Sequence, residues 1–209
     1  MIERLLTSSG KTVLLYEGRR VCSLEPEREA TSWVQRNSLR LRGVQNVIVL
    51  GVGCGYHLVA LRKYLPEATI LAIETKSDFL EFTRGESSLD LSDVMFLHAR
   101  GATDLRKNCV LRDLLKDNYT VLKFVPAQIG DEVLYREMED LLLARNIEGL
   151  RYVLSLRSDL CRSLEVDSEK NWIDPLGELF SIKTLEKMLS QQADGEVRLI
   201  LKSLREMVR

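Results

Sequence analysis

The chain has almost no net charge: 30 basic and 31 acidic residues leave a formal -1. No whole-chain field would hold a phosphate backbone or an anionic bilayer, so nucleic acid and membrane surfaces are not expected partners. Long apolar runs are missing as well. Nothing approaches an eighteen-residue span, and Met1-Ile2-Glu3-Arg4-Leu5-Leu6 lacks the basic start and apolar stretch of a signal peptide. A cytoplasmic protein is expected. Cysteine is sparse and scattered: Cys22, Cys54, Cys109 and Cys161 form no C-x-x-C pair, so spacing suggests neither a zinc site nor a disulfide framework, and free thiols without a metal are expected. With His57 and His98 as the only histidines, serine-histidine and cysteine-histidine catalysis has few candidates and the hydrolase classes recede. Internal repeats and low-complexity tracts are absent. What remains is the balance of an ordinary folded domain: 209 residues, 45% hydrophobic and 29% charged, long enough to bury a sizeable core.

Periodicity divides the chain into alternating elements. Residues 12–16 and 20–24 are β-prone runs around Glu17-Gly18, which predicts a hairpin. Pro26 then opens a stretch in which Ala30, Trp33, Val34 and Leu41 share one side at helical spacing, closed by Gly43. Asn46-Val47-Ile48-Val49-Leu50 is a continuous apolar run, as in a strand covered on both faces. There follow a helix over residues 56–65 stopped by Pro66, a strand over 69–73, a helix over 78–84, a strand over 94–98, a helix over 103–115 and a strand over 120–124. Strand and helix taking turns with short connections imply right-handed βαβ units and an α/β, Rossmann-like three-layer fold with a mainly parallel sheet. Residues 132–145 read as helix, while 151–156 fit either helix or strand. The polar stretch 165–178, with Pro175, Gly177 and Trp172, reads as a surface connection. In the last helix Val197, Ile200, Leu201, Leu204 and Val208 make one apolar stripe, for packing on the chain's own core or for a homodimer interface. The expected organisation is residues 1–43 as an N-terminal hairpin and helix extension, 44–160 as the Rossmann-like core and 161–209 as a helical appendage packed on it.

One constellation carries chemistry. Val49-Leu50-Gly51-Val52-Gly53-Cys54-Gly55-Tyr56-His57 places a glycine cluster at a strand end and at the start of a helix, where doubly wound sheets bind ligands. Glycine lets the backbone come close to a ligand, and the free N–H groups of the helix start favour an anion. Glu74, twenty-three residues after Gly51, ends the second strand, where a carboxylate can accept hydrogen bonds from both hydroxyls of an adenosine ribose. A dinucleotide is disfavoured, because the third glycine of G-x-G-x-x-G falls on Tyr56. The spacing present, G-x-G-x-G through Gly51, Gly53 and Gly55, resembles the first motif of S-adenosylmethionine-dependent methyltransferases, with Glu74 matching their ribose-binding acid. The resemblance implies a methyltransferase-like core and S-adenosylmethionine as cofactor. Three handles of that superfamily are missing: an acid just before the first glycine, an acid after the third strand, where the chain reads His98-Ala99-Arg100, and the Asn/Asp-Pro-Pro-Tyr signature of the amino-methylating branch.

A second family matches more of the chain. Ser23, Pro26, Glu29 and Ala30 fit an S-x-x-x-P-x-x-E-A helix start; Gly51, Gly53, Gly55, Tyr56, His57 and Leu58 fit a G-x-G-x-G-Y-H-L loop; Glu74 and Phe79 fit an acid followed by a phenylalanine. On these residues the region from roughly 10 to 146 resembles the N-terminal part of the bacterial motility accessory factor glycosyltransferases of flagellin glycosylation. In that family, sugar transfer is attributed to a separate sialyltransferase-like domain whose glycine-proline-serine signature does not occur in these 209 residues, so catalysis is not carried over.

Other residues carry less. His57 has two readings, a donor to a ligand phosphate or carboxylate and a cap on its own helix. His98 reads as a satisfied core residue and Cys54 as an inert thiol. Arg36, Arg40 and Arg42 read as a solvated face, with an anionic-substrate patch as the alternative. The expected ligand-binding set is Gly51, Gly53, Gly55, Tyr56, His57 and Glu74, with no catalytic residue assigned. Three functions compete: a non-catalytic module binding a nucleotide-like or adenosyl ligand, an S-adenosylmethionine-dependent methyltransferase, and a structural or interaction protein with no ligand.

Overall fold

A computed structural model describes residues 2–86 and 88–156. The expected surface connection at 165–178 with Trp172, the appendage at 161–209 and the stripe through Val208, with the homodimer it would support, lie outside the described residues. The N-terminal part is a three-stranded antiparallel sheet of β1 (Ile2–Leu6), β2 (Thr12–Tyr16) and β3 (Arg19–Arg20) in that order. Its tight turn is Glu17-Gly18, both at positive φ (51° and 74°), as a two-residue hairpin loop requires. The hairpin matches expectation in its first strand, but the second is only two residues long. β1 was not expected, because Ile2-Glu3-Arg4-Leu5-Leu6 buries little and carries a weak alternation signal.

α1 (Pro26–Asn37) starts on Pro26, the position where a missing N–H costs nothing, and buries Ala30, Trp33 and Val34. It ends before Leu41, which is buried from the turn that follows, and Gly43 (φ 65°) reverses the chain. Then come β4 (Asn46–Leu50), α2 (Tyr56–Tyr64), β5 (Thr69–Glu74), α3 (Ser77–Gly85), β6 (Val94–His98), α4 (Ala102–Lys107), α5 (Cys109–Leu114), β7 (Tyr119–Lys123), α6 (Glu132–Leu142) and α7 (Ile147–Leu156). The helix expected over 103–115 is two helices. Asn108 leaves helical geometry and its side chain accepts from Leu111 N at 2.8 Å, so it caps a new helix instead of continuing the old one. Residues 151–156 are helix, not strand.

β6, β5, β4 and β7 form a four-stranded parallel sheet in that order. The order is compatible with a Rossmann-like fold, whose crevice opens where neighbouring strands connect in opposite directions, here between β4 and β7. Period two explains the continuous apolar run of β4. Val47 and Val49 join Ala30, Trp33, Leu58, Leu61 and Phe79 in one core; Ile48 and Leu50 join Leu105, Leu111, Tyr135 and Met138 in the other. Each such side chain contributes about 1.5–3 kcal/mol by leaving water, which accounts for the burial of Val47–Leu50, while the buried Asn46 amide donates to Leu114 O at 2.9 Å. Among the described residues no helix is long and apolar enough to cross a membrane.

Candidate functional site

The loop after β4 is built by its glycines. Gly51, Gly53 and Gly55 have φ of 101°, 51° and 79°, conformations that side chains rarely adopt. Their hydrogens also face packed atoms. A Cβ on Gly51 would stand 2.8 Å from the Phe124 carbonyl oxygen and 3.1 Å from Ala127 Cβ, and one on Gly53 would stand 2.8 Å from Val21 Cγ1 and 3.0 Å from Ala127 Cβ. On Gly55 it would meet Thr83 Cγ2 at 2.6 Å. The close approach is therefore to the protein itself: to the hairpin through Val21, to α3 through Thr83, and to a 3-10 turn after β7 (Val125–Gln128). That turn fills the β4–β7 crevice, with Ala127 fully buried and Gln128 Nε2 donating to Leu50 O at 3.2 Å.

Glu74 closes the other side. It is the last residue of β5, with no solvent exposure. Its Oε2 accepts from Val52 N at 2.8 Å and Gly53 N at 3.2 Å, the two loop amides that a ligand would need. Its Oε1 accepts from Thr75 N at 2.9 Å, Lys76 N at 3.1 Å and the Tyr135 hydroxyl at 2.6 Å. A carboxylate offers about four lone-pair sites, and five donors already converge here, so nothing is left for two ribose hydroxyls. Burial, and then the Glu74 carboxylate beside it, push the Tyr135 phenol well above its ordinary range, which keeps it a donor.

A second tier steadies these contacts. The Thr75 hydroxyl donates to Asp131 Oδ2 at 2.6 Å, and Lys76 Nζ pairs with the same oxygen at 2.5 Å. Burial opposes ionisation of Asp131, but the Lys76 and Thr75 contacts outweigh it and hold the carboxyl below its usual range. The Lys76 ammonium also lies 5.0 Å from the ring centre of Tyr16 and 5.6 Å from that of Phe79, so the hairpin and α3 meet over it.

The histidine and tyrosine of the loop, His57 and Tyr56, face inward. His57 is 1% exposed, its Nε2 donates to Gly51 O at 3.0 Å, and its ring stacks on Phe124 with centres 3.9 Å apart. It thus braces the loop carbonyl rather than its helix start. Tyr56 donates to Thr12 O at 2.9 Å and burial pushes its phenol up to about 12. His98, expected in the core, is exposed at the end of β6, where its Nε2 donates to Thr75 O at 3.0 Å. Arg36, Arg40 and Arg42 are all exposed, and the Arg40 guanidinium reaches back to donate to Val121 O at 2.6 Å. Sequence reasoning missed Tyr135, Ala127 and Gln128, which come from later segments and carry no motif. Of the ligand-binding set, Tyr56 also reaches a cleft of about 640 Å³ between α1 and α2, walled by Ala30, Val34, Val59 and Ala60. Among the described residues no group of three or more His, Cys, Asp or Glu side chains is gathered to hold a metal ion.

Burial holds His57 neutral in the fold, lowering its pKa to about 3, against about 6.5 when unfolded. The unfolded chain takes up that proton first, so the contribution is complete above pH 6.5 and is lost as pH falls toward 3. Between pH 8 and pH 5 the fold should lose about 2 kcal/mol through this group alone. Urea unfolding of the wild type and His57→Phe over that range is the check: the variant should show the shallower pH dependence, and equal slopes would contradict the assignment.

No family model, curated protein or solved structure matches this chain.

Proposed function

We propose that the protein is a non-catalytic, Rossmann-like scaffold, a module of the kind the motility accessory factor resemblance implies, whose glycine loop is a packing device. It takes no adenosyl or nucleotide ligand at the strand ends, works in the cytoplasm, and presents its surface to other chains. One observation carries this reading: the Glu74 carboxylate, which would hold a ribose in a methyltransferase, is saturated by the loop amides, the amides of Thr75 and Lys76, and Tyr135. The filling of the β4–β7 crevice by Ala127 and Gln128 supports it. A ligand entering here would have to displace groups already hydrogen-bonded, at about 1–3 kcal/mol for each buried donor left unpaired.

A thermal-shift panel tests this. A ligand at a hundred times its dissociation constant stabilises by about 2.7 kcal/mol, several degrees for a chain of this length. S-adenosylmethionine, S-adenosylhomocysteine, NAD and nucleotide sugars at millimolar concentration should all leave the midpoint unmoved. A rise with S-adenosylhomocysteine would overturn the scaffold reading and favour the methyltransferase.

A further inference from the structure

Two thiols meet where the hairpin packs on the glycine loop. Cys22 follows β3 and Cys54 lies between Gly53 and Gly55, yet their sulfurs are 3.0 Å apart, the Cys22 thiol donating to Cys54. Leu14 N donates to Cys54 Sγ at 3.2 Å from the side, which holds that sulfur in place. The two segments are already fixed against each other: Val21, next to Cys22, packs on Gly53, next to Cys54. An ordinary disulfide has its sulfurs about 2.05 Å apart, so closure asks roughly half an ångström of each side chain. Cys22 is 5% exposed and Cys54 1%, so a reagent would arrive by way of Cys22, and only a small one would fit. Cys109, the other free thiol among the described residues, is exposed on α5.

We infer that Cys22 and Cys54 form a modification site, a dithiol that hydrogen peroxide converts into an intramolecular disulfide stapling the N-terminal hairpin to the glycine loop. In the first step the Cys22 thiolate attacks one peroxide oxygen and expels hydroxide, which takes up the thiol's proton as water; Cys22 becomes a sulfenic acid. In the second, the Cys54 sulfur attacks Cys22 Sγ, its proton leaving with the hydroxyl as a second water. Two thiols and one peroxide yield one disulfide and two waters, the protein losing two electrons. The hydrogen bond to Cys54, together with burial, pushes the Cys22 thiol up, so little thiolate is present and the reaction is slow. This inference is independent of whether the loop binds a ligand.

The experiment treats the reduced, full-length protein with low-millimolar hydrogen peroxide for hours, then alkylates it with iodoacetamide in denaturant and digests it with trypsin. Mass spectrometry should find residues 21–28 joined to residues 43–62, two hydrogens lighter than the sum of the two peptides and separated by dithiothreitol. In Cys54→Ser the first step should stop at the sulfenic acid of Cys22, trapped by dimedone. Full alkylation of Cys22 and Cys54 in the wild type after peroxide would overturn the inference. So would a sulfinic acid at Cys22 without the linked peptide, or a link from Cys22 to Cys109 in its place. The wild-type result decides the matter even if the variant does not fold.

Discussion

Replacing Glu74 with alanine should destabilise the fold by about 3–5 kcal/mol, enough to leave much of the protein unfolded at physiological temperature. The side chain is fully buried and its removal orphans the Val52, Gly53 and Lys76 amides and the Tyr135 hydroxyl hydrogen, while Thr75 N keeps the Tyr135 oxygen at 3.2 Å. Each unpaired buried donor costs about 1–3 kcal/mol, and water admitted to the cavity would recover part of the sum. Glu74→Gln should fall short of full rescue, because its amide nitrogen would turn a donor toward N–H or O–H groups that also donate. Urea unfolding measures both. A surface-like loss of less than about 1 kcal/mol for Glu74→Ala would mean that the loop does not depend on this carboxylate.

The second large effect belongs to Gly51. An alanine there must hold φ near 101° and place its Cβ 2.8 Å from the Phe124 carbonyl oxygen, a backbone atom that cannot swing aside. Left-handed strain of about 1–2 kcal/mol and overpacking of about 1–3 kcal/mol add to a loss near 3 kcal/mol. Gly43 is the control: its φ is 65° but open space surrounds it, so Gly43→Ala should pay strain alone, about 1–2 kcal/mol. Equal losses at the two sites would contradict the packing role. A loop kept open for a ligand would behave differently, losing affinity on substitution while the empty protein paid only the strain, as at Gly43.

These contrasts show what could be read from residue order and what could not. The run Val47–Leu50 announces a strand buried on both faces because four successive positions are apolar, and the parallel sheet follows from its alternation with helices. The glycines and Glu74 were legible as a unit, since strand, turn, helix, strand and acid arrive in order. Their spacing, however, says only that backbone must come close to something. Whether that something is a ligand or the protein depends on Val21, Thr83, Ala127 and Tyr135, residues of no motif brought in from four other segments. The same limit applies to the cysteines: 31 residues separate Cys22 from Cys54, and only the docking of the hairpin on the loop unites them. His98 illustrates the reverse, an apolar strand whose last residue emerges at the surface because the strand ends there. Asn108 acted as a helix start inside what reads as one helix, a local choice that periodicity averages away.

Amide hydrogen exchange at Val52 and Gly53 bears most directly on the central claim, that the loop's N–H groups are spent on Glu74. Both amides should be protected to about the level of Ile48 and Val49 in β4 in the protein alone, and unchanged by millimolar S-adenosylhomocysteine. Exchange as fast as in an open surface loop, or protection that develops only when that compound is added, would contradict it.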